Sequence, residues 1–131
     1  MFKVIYELEL TRCESDQIYC VLWLKVNHLF QHLYQGGARS FWIHNTGPIG
    51  CLPVTLLNYH QPMPGILDEH GCVIAQNDVA KEFNWHLESR VIKLREQLSD
   101  AALSYVDVFA AKYKLISNAK KQGSTSILLL P

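Results

Sequence analysis

The sequence predicts an α/β fold that contains part of a parallel sheet. The prediction rests on a helical stripe in residues 26–33, two short β-rich runs at 40–44 and 103–109, and a long amphipathic helix between those runs. Two buried strands joined through a helix form a right-handed βαβ crossover, so the two strands should be parallel.

Length and composition limit the class of protein. The chain has 131 residues, of which 49% are hydrophobic and 18% charged, which is the composition of one globular domain. Lys+Arg and Asp+Glu both number 12, so the net charge is zero, and we expect no nucleic-acid partner. Apolar runs stay below the roughly 20 residues of a membrane span. Residues 1–10 lack the features of a signal peptide.

The first half of the chain predicts one helix and one strand. Glycines 36 and 37 are suited to end the helix, and the run 40–44 favours a strand buried on both faces, with Phe41 and Trp42 in the core. The apolar run 18–24 fits either a strand or a buried helix. The helical stripe consists of Val26, Leu29, Phe30 and Leu33.

The second half predicts a helix, a strand and a helix. Asn77 or Asp78 is suited to cap the first helix. A strand is expected at 103–109 and a helix at 110–116, and one further helical turn is expected to end at Gly123. The apolar stripe predicted for the long helix consists of Val79, Phe83, Leu87, Val91, Leu94 and Leu98.

Residues 45–71 predict a long irregular segment, because they hold four of the five prolines. The segment starts where the first strand ends, and ligand sites of parallel sheets lie beyond the carboxyl ends of the strands. Pro48 and Pro53 stiffen its backbone, while Gly47 and Gly50 permit a close approach or a positive φ. Two interpretations stay open here: a wall of a ligand site, or a loop that only turns the chain.

Four cysteines, at 13, 20, 51 and 72, are not arranged as a metal site. No CxxC pair occurs and no histidine stands at zinc-finger spacing, so we expect neither a metal nor a cofactor. Cys51 and Cys72 each follow a glycine and bracket the proline-rich loop. They fit a disulfide formed in an oxidising compartment, and they fit two buried free thiols equally well.

Two stretches of the chain carry a family resemblance. Residues 33–53 and 67–123 closely resemble the plant GDSL esterase/lipase family, with Gly-Ala-Arg, Asn-Thr-Gly-Pro, Gly-Cys-Leu-Pro and Phe-Asn in family order and at family spacing. The resemblance implies a flavodoxin-like α/β/α fold of the SGNH-hydrolase type, secretion, and hydrolysis of carboxylic esters. It divides the chain into an unmatched segment 1–24, a partial domain 25–123 and an unmatched tail 124–131.

The family's catalytic blocks have no counterpart in this sequence. It contains neither the Gly-Asp-Ser of the nucleophile nor the Asp-x-x-His of the general base, so no catalytic residue is assigned. The resemblance therefore implies an inactive, truncated fragment of an ester hydrolase. The alternative is a non-catalytic α/β fragment with an interaction or structural role. In a full-length relative, Asn45 and Thr46 are expected to contact the acyl-ester substrate and Gly47 to give it room.

Three further motifs imitate catalytic groups. Residues 75–78 imitate an oxyanion block, but an asparagine and an aspartate at a helix start are expected to be caps. Asp68, Glu69 and His70 place acids beside a histidine, and we expect a solvated loop there. His44 is expected to be a packed histidine at the end of the strand. Neither the substrate's acyl and alcohol groups nor a protein partner can be inferred from the sequence.

Overall fold

The computed structural model describes residues 17–59 and 63–119. These residues form four α-helices, two strands and one 3-10 turn. In chain order they are α1 (Gln17–Gln35), β1 (Ser40–His44), the 3-10 turn (Ile49–Cys51), α2 (Pro53–Leu57), α3 (Ile74–Gln97), β2 (Ala102–Val106) and α4 (Val108–Ser117). The residues predicted to form a final helical turn up to Gly123 lie largely outside the described ranges.

The two strands form a parallel sheet, which confirms the predicted α/β fold. The amide of Ala102 donates to the carbonyl of Arg39 at 2.7 Å, and the amide of Asn45 donates to the carbonyl of Val106 at 3.2 Å. Both strands therefore run in the same direction, as a connection through α3 requires. Their carboxyl ends lie at one edge of the sheet, at Asn45 and Asp107.

The described residues fall into two compact units. The first contains residues 17–41 and 93–103, and its buried side chains are Leu24, Phe41, Leu94, Leu98 and Leu103. The second contains residues 42–59, 63–92 and 104–119. Its core includes Ile43, Val73, Ala80, Leu87 and Val91, together with three buried asparagines described below.

In the first unit, α1 begins earlier than the predicted stripe. No glycine or proline interrupts residues 17–35, so the apolar run 18–24 continues into the stripe as one helix. The end of α1 lies where the glycines predicted it. Gly37 has a φ of 99°, and the amide of Ala38 donates to the carbonyl of Leu33 at 3.0 Å, which are the marks of a Schellman motif. Leu29 and Leu33 are exposed, and Val26 and Phe30 are half-buried, so no residue of the stripe is fully buried.

An arginine fastens the end of α1 to the turn before β2. The Arg39 guanidinium donates to the carbonyl of Tyr34 at 2.7 Å and to the carboxylate of Asp100 at 2.9 Å, and it lies over the ring of Tyr34. The Tyr34 hydroxyl also donates to Asp100. The Gly-Ala-Arg element thus supplies a helix end and its side-chain cap in three consecutive residues.

β1 differs from the prediction of a strand buried on both faces. Its residues alternate, with Phe41 and Ile43 buried and Trp42 79% exposed, so the expectation that Trp42 belongs to the core is wrong. His44 is also exposed and its ring lies 5.9 Å from that of Trp42. Within the described residues, one face of β1 is covered and the other is open.

In α3 the buried face differs from the predicted stripe in its first half. Val79 is exposed and Phe83 is only half-buried, whereas Asn77 and Asn84 are buried. The face that is buried consists of Asn77, Ala80, Asn84, Leu87, Val91 and Leu94, and the buried Leu98 follows directly after the helix. This set steps by three and four residues, as one side of a helix does, but two of its members are polar.

Candidate functional site

The polar cluster at the carboxyl edge of the sheet is centred on Asn45. This side chain is buried. Its amide nitrogen donates to the carboxylate of Asp107 at 2.8 Å, and its amide oxygen accepts from the backbone of Phe109 at 3.0 Å. Asp107 in turn caps α4 by accepting from the amide of Ala110 at 2.9 Å. Asn45 therefore joins the end of β1 to the start of α4, two residues earlier than the helix was predicted.

Asn84 holds the next residue of the loop. Its amide oxygen accepts from the backbone N–H of Thr46 at 2.8 Å, and its amide nitrogen donates to the carbonyl of Thr46 at 2.8 Å. One buried side chain thus satisfies both backbone polar groups of Thr46, as a neighbouring strand would. Tyr105 approaches the backbone carbonyl of Asn84 at 3.4 Å from the sheet side. The peptide at Thr46 is fixed from α3.

Asn77 holds the backbone of the 3-10 turn. Its side-chain oxygen accepts from the amide of Gly50 at 2.9 Å, and its nitrogen lies 3.5 Å from the sulfur of Cys51. The carbonyl of Gly50 accepts from the amide of Val73 at 2.9 Å. Because α3 begins at Ile74, Asn77 lies inside its first turn, so the prediction that Asn77 or Asp78 caps the helix is wrong. The amide of Ile74 is bonded instead to the carbonyl of Ile66.

Gly47 and Gly50 differ in whether the structure requires a glycine at their position. Neither has a positive φ. A Cβ at Gly50 would lie 2.2 Å from the carbonyl oxygen of Val73 and 2.9 Å from Oδ1 of Asn77, so no other residue fits there without a backbone shift. A Cβ at Gly47 would lie 3.4 Å from Cδ of Lys112, which is ordinary contact with a flexible side chain. Neither backbone conformation nor packing explains the glycine at 47.

Cys51 and Cys72 form a disulfide in the structure, with Cα atoms 4.4 Å apart and a sequence separation of 21. Both sulfurs are buried. The bridge closes the proline-rich loop at its base, next to the Gly50–Val73 hydrogen bond. Together with Asn45, Asn77 and Asn84, it fixes the backbone of residues 45–51 at both ends.

The acidic motif before Cys72 organises this loop base. One carboxylate oxygen of Asp68 accepts from the amides of His70 and Cys72, each at 2.9 Å, and the other accepts from the hydroxyl of Tyr113 at 2.8 Å. His70 lies 3.5 Å from Glu69 and packs against the ring of Tyr113. Asp68 and His70 are half-buried and Glu69 is exposed, so the loop that was expected to be solvated is solvated only in part.

Burial and hydrogen bonding shift the pKa values of both Asp68 and Tyr113. Burial raises the pKa of Asp68, but the hydrogen bonds from Cys72, Tyr113 and His70 outweigh it, and the net pKa is lowered. Burial and the adjacent Asp68 carboxylate raise the pKa of Tyr113 to about 12. Within the described residues, no group of three His, Cys, Asp or Glu side chains is arranged to hold a metal ion.

The tyrosine contact predicts a loss of stability at high pH. Since the folded pKa of Tyr113 lies above the ordinary tyrosine value of 10.0, its contribution to the free energy of unfolding is complete below pH 10 and is lost as the pH rises through about 12. A Tyr113→Phe variant should lack that step in a series of urea unfolding curves between pH 8 and pH 12. Tyr59→Phe provides the control. Wild-type and Tyr113→Phe curves that decline in parallel across this range would contradict the assignment.

Sequence reasoning identified the loop but missed the side chains that hold it. Asn84 belongs to the Phe-Asn element and Asp107 lies in the run predicted as a strand, yet nothing local indicates that Asn84 bonds to Thr46 or that Asp107 bonds to Asn45. Their spacing could have indicated that Asn77 and Asn84 are buried, because they are seven residues apart and lie on the same helix face as Leu87 and Val91. A buried asparagine on such a face has to be hydrogen-bonded, and the nearby loop backbone supplies its partners.

These features define a class of protein. The chain is a parallel α/β protein with a preorganised loop at the carboxyl edge of its sheet, the position where such proteins bind ligands. The family model described as GDSL-like Lipase/Acylhydrolase matches residues 17–125. The chain belongs to the GDSL esterase/lipase family.

Plant relatives show the same affiliation. A GDSL esterase/lipase from Arabidopsis thaliana is 51% identical over 82% of this chain and 28% of its own length. The GDSL esterase/lipase ACHE from Zea mays is 46% identical over 95% of this chain and 31% of its own length. A third relative, alpha-L-fucosidase 3 from Arabidopsis thaliana, is 44% identical over 71% of this chain and 25% of its own length.

This chain therefore spans less than a third of the length of these relatives. No solved structure was found to match it. None of the helices in the described ranges is long and apolar enough to cross a membrane. One of these relatives is named for a glycosidase and two are named for esterases.

Proposed function

We propose that this chain forms part of a carboxylic-ester hydrolase and that residues 45–47 are one wall of its ester pocket. The observation that carries the proposal is the loop at the carboxyl edge of the sheet, whose backbone is held by three buried asparagines. Such rigidity is what a site needs when it must hold a substrate in one orientation. The family affiliation supports an acyl ester as the substrate class.

Two residues of this wall are available to a ligand, one through its hydroxyl group and one through the space beside it. The backbone of Thr46 is bonded to Asn84, but its hydroxyl has no hydrogen-bond partner among the described residues. Gly47 is a glycine that neither a positive φ nor a close backbone contact explains. We propose that the hydroxyl of Thr46 contacts the ester and that Gly47 leaves room for it. The amide of Asn45 is already bonded on both sides, so we propose that it orients the loop.

An ester hydrolase has to perform two tasks: it positions the substrate, and it cleaves the ester bond. A serine attacks the ester carbonyl, a histidine accepts the serine proton, and an aspartate orients the histidine. The sequence of this chain contains no Gly-Asp-Ser and no Asp-x-x-His motif. We propose that its residues position the substrate and that the chain by itself does not turn over esters.

The disulfide supports a further part of the proposal. A bridge between two buried cysteines persists in an oxidising environment, so we propose that the protein functions outside the reducing cytosol, consistent with a secreted family. The segment limits suggested by the resemblance, with a partial domain at 25–123 between unmatched ends, remain a prediction.

The purified 131-residue chain is expected to hydrolyse short p-nitrophenyl esters no faster than buffer. The matched experiment replaces the counterpart segment of the full-length maize relative with residues 17–119 of this chain, and this chimera is expected to hydrolyse the same esters. Each of the two assays has an outcome that would contradict the proposal. Turnover by the isolated chain that one Ser→Ala change abolishes would reveal a complete site, and an inactive but folded chimera would reject the pocket wall.

A further inference from the structure

Two histidines stand four residues apart on α1. His28 and His32 are both exposed, and their ring centroids lie 6.3 Å apart at an interplanar angle of 35°. Residues four apart in a helix lie on the same face, one turn above the other. The helix extends beyond both residues, from Gln17 to Gln35, so regular backbone fixes this placement. The two imidazoles therefore lie side by side on the surface of the first compact unit.

This spacing allows both side chains to hold one metal ion. In protein zinc sites the metal lies about 2.0–2.1 Å from each imidazole nitrogen, so two nitrogens at one tetrahedral ion are about 3.3 Å apart. Because both side chains are exposed, their rings can turn toward each other to this separation while the helix backbone stays in place. Metalloprotease helices use the same spacing of two histidines to bind zinc.

The surroundings of the pair favour transition metals over calcium and magnesium. No Asp or Glu occurs in α1, so the helix offers imidazole ligands and no carboxylate. Imidazole suits Zn²⁺, Cu²⁺ and Ni²⁺, whereas Ca²⁺ and Mg²⁺ bind oxygen ligands. His32 lies in the last turn, where the negative end of the helix dipole attracts cations. Lys25 is exposed, and its flexible stem allows the ammonium to turn away from the ion.

We propose that His28 and His32 chelate one divalent transition-metal ion, of the group Zn²⁺, Ni²⁺ and Cu²⁺. In the part of the chain that the structure describes, no third His, Cys, Asp or Glu side chain joins the pair, so water completes the coordination. The histidines belong to the first compact unit and residues 45–47 to the second, so the inference goes beyond the proposed function and does not depend on it. The expectation of no metal rested on cysteine and zinc-finger spacings, which this pair does not use.

The test is binding of Zn²⁺ and of Ni²⁺ to the 131-residue chain, measured by isothermal titration calorimetry. A Cys13→Ala/Cys20→Ala background removes the thiols outside the Cys51–Cys72 bridge. We expect one tightly bound ion per chain, and an excess of Ca²⁺ or Mg²⁺ should not displace it. His28→Gln and His32→Gln should each weaken binding on the order of 100-fold, because a second ligand on the same scaffold acts at a high effective concentration.

A variant of unchanged composition tests the geometry of the pair. His32→Leu/Leu33→His moves the second histidine to the fifth position after His28, on another side of the helix, and should bind as weakly as His32→Gln. His44→Gln is the matched control, because it removes an exposed histidine that has no histidine four residues away, and it should bind as the wild type does. All the substituted residues of these variants are exposed, so the variants should fold, and circular dichroism verifies that they do.

A second measurement locates the ion without any substitution. Bound Zn²⁺ should protect His28 and His32, but not His44, from modification by diethyl pyrocarbonate, as mapped by mass spectrometry of a digest. The proposal is overturned if neither His28 nor His32 is protected. It is also overturned if His28→Gln/His32→Gln binds Zn²⁺ and Ni²⁺ as tightly as the wild type does, or if His32→Leu/Leu33→His does.

Discussion

Gly50→Ala is expected to lower the free energy of unfolding by about 3 kcal/mol, at the upper end for a single added methyl group. The added Cβ would lie 2.2 Å from the carbonyl oxygen of Val73, a backbone atom that cannot rotate away. To relieve the contact, the turn must move from α3, which weakens the hydrogen bonds of Gly50 to Asn77 and Val73. Urea unfolding followed by circular dichroism measures the effect.

Gly47→Ala is the control for this variant. It adds the same methyl group to the same loop, but the new atom meets only the flexible end of Lys112 at 3.4 Å. We expect a change within about 0.5 kcal/mol. If both glycine variants lost equal stability, the close approach at Gly50 would not be what holds the turn.

Removal of the disulfide is expected to have an effect of similar size. The bridge closes a loop with a sequence separation of 21, for which the chain-entropy account gives about 3 kcal/mol. The double variant Cys51→Ala/Cys72→Ala should therefore unfold at a clearly lower urea concentration, with the oxidised wild type as reference. The effect should vanish when both proteins are measured under reducing conditions.

The pairing itself is checked by mass spectrometry of a non-reduced digest. We expect one peptide that links Cys51 to Cys72. The pair Cys13→Ala/Cys20→Ala is the control, and it should leave that linked peptide unchanged. Free thiols at both positions, or a link from Cys51 or Cys72 to Cys13 or Cys20, would contradict the expected connectivity.

The βαβ core was accessible to sequence reasoning because its signals are local. β1 was predicted at its observed bounds, and the turn at Gly37 has the positive φ that glycine permits. Each of these depends on residues within a few positions of one another. Tertiary contacts reinforce these preferences and do not oppose them.

The first half of α3 was mispredicted because hydrophobicity was taken as the mark of the buried face. Asn77 and Asn84 occupy that face because the loop opposite them presents backbone groups that need partners. These partners are 27 and 38 residues away in the chain, so no local window contains both members of a pair. The prediction that Trp42 is buried was wrong for a related reason. Its residue type indicates burial, but the face of β1 on which it lies is open.

The location of the candidate site followed from topology, but the division of roles within it did not. The carboxyl edge of a parallel sheet indicated residues 45–47. Only the structure distinguishes the two glycines. Packing requires a glycine at position 50 but does not require one at position 47. That contrast leaves Gly47 as the residue at which a functional role can be tested apart from stability.

The central claim is therefore tested by Gly47→Val in the chimera that carries residues 17–119 of this chain within the full-length maize relative. A pocket wall predicts that kcat/KM for p-nitrophenyl esters falls by about tenfold or more, because the valine side chain displaces the substrate. The melting temperature should stay within about 2 °C, because Lys112 can move aside. An unchanged kcat/KM in a variant of unchanged melting temperature would contradict the claim that residues 45–47 line the ester pocket.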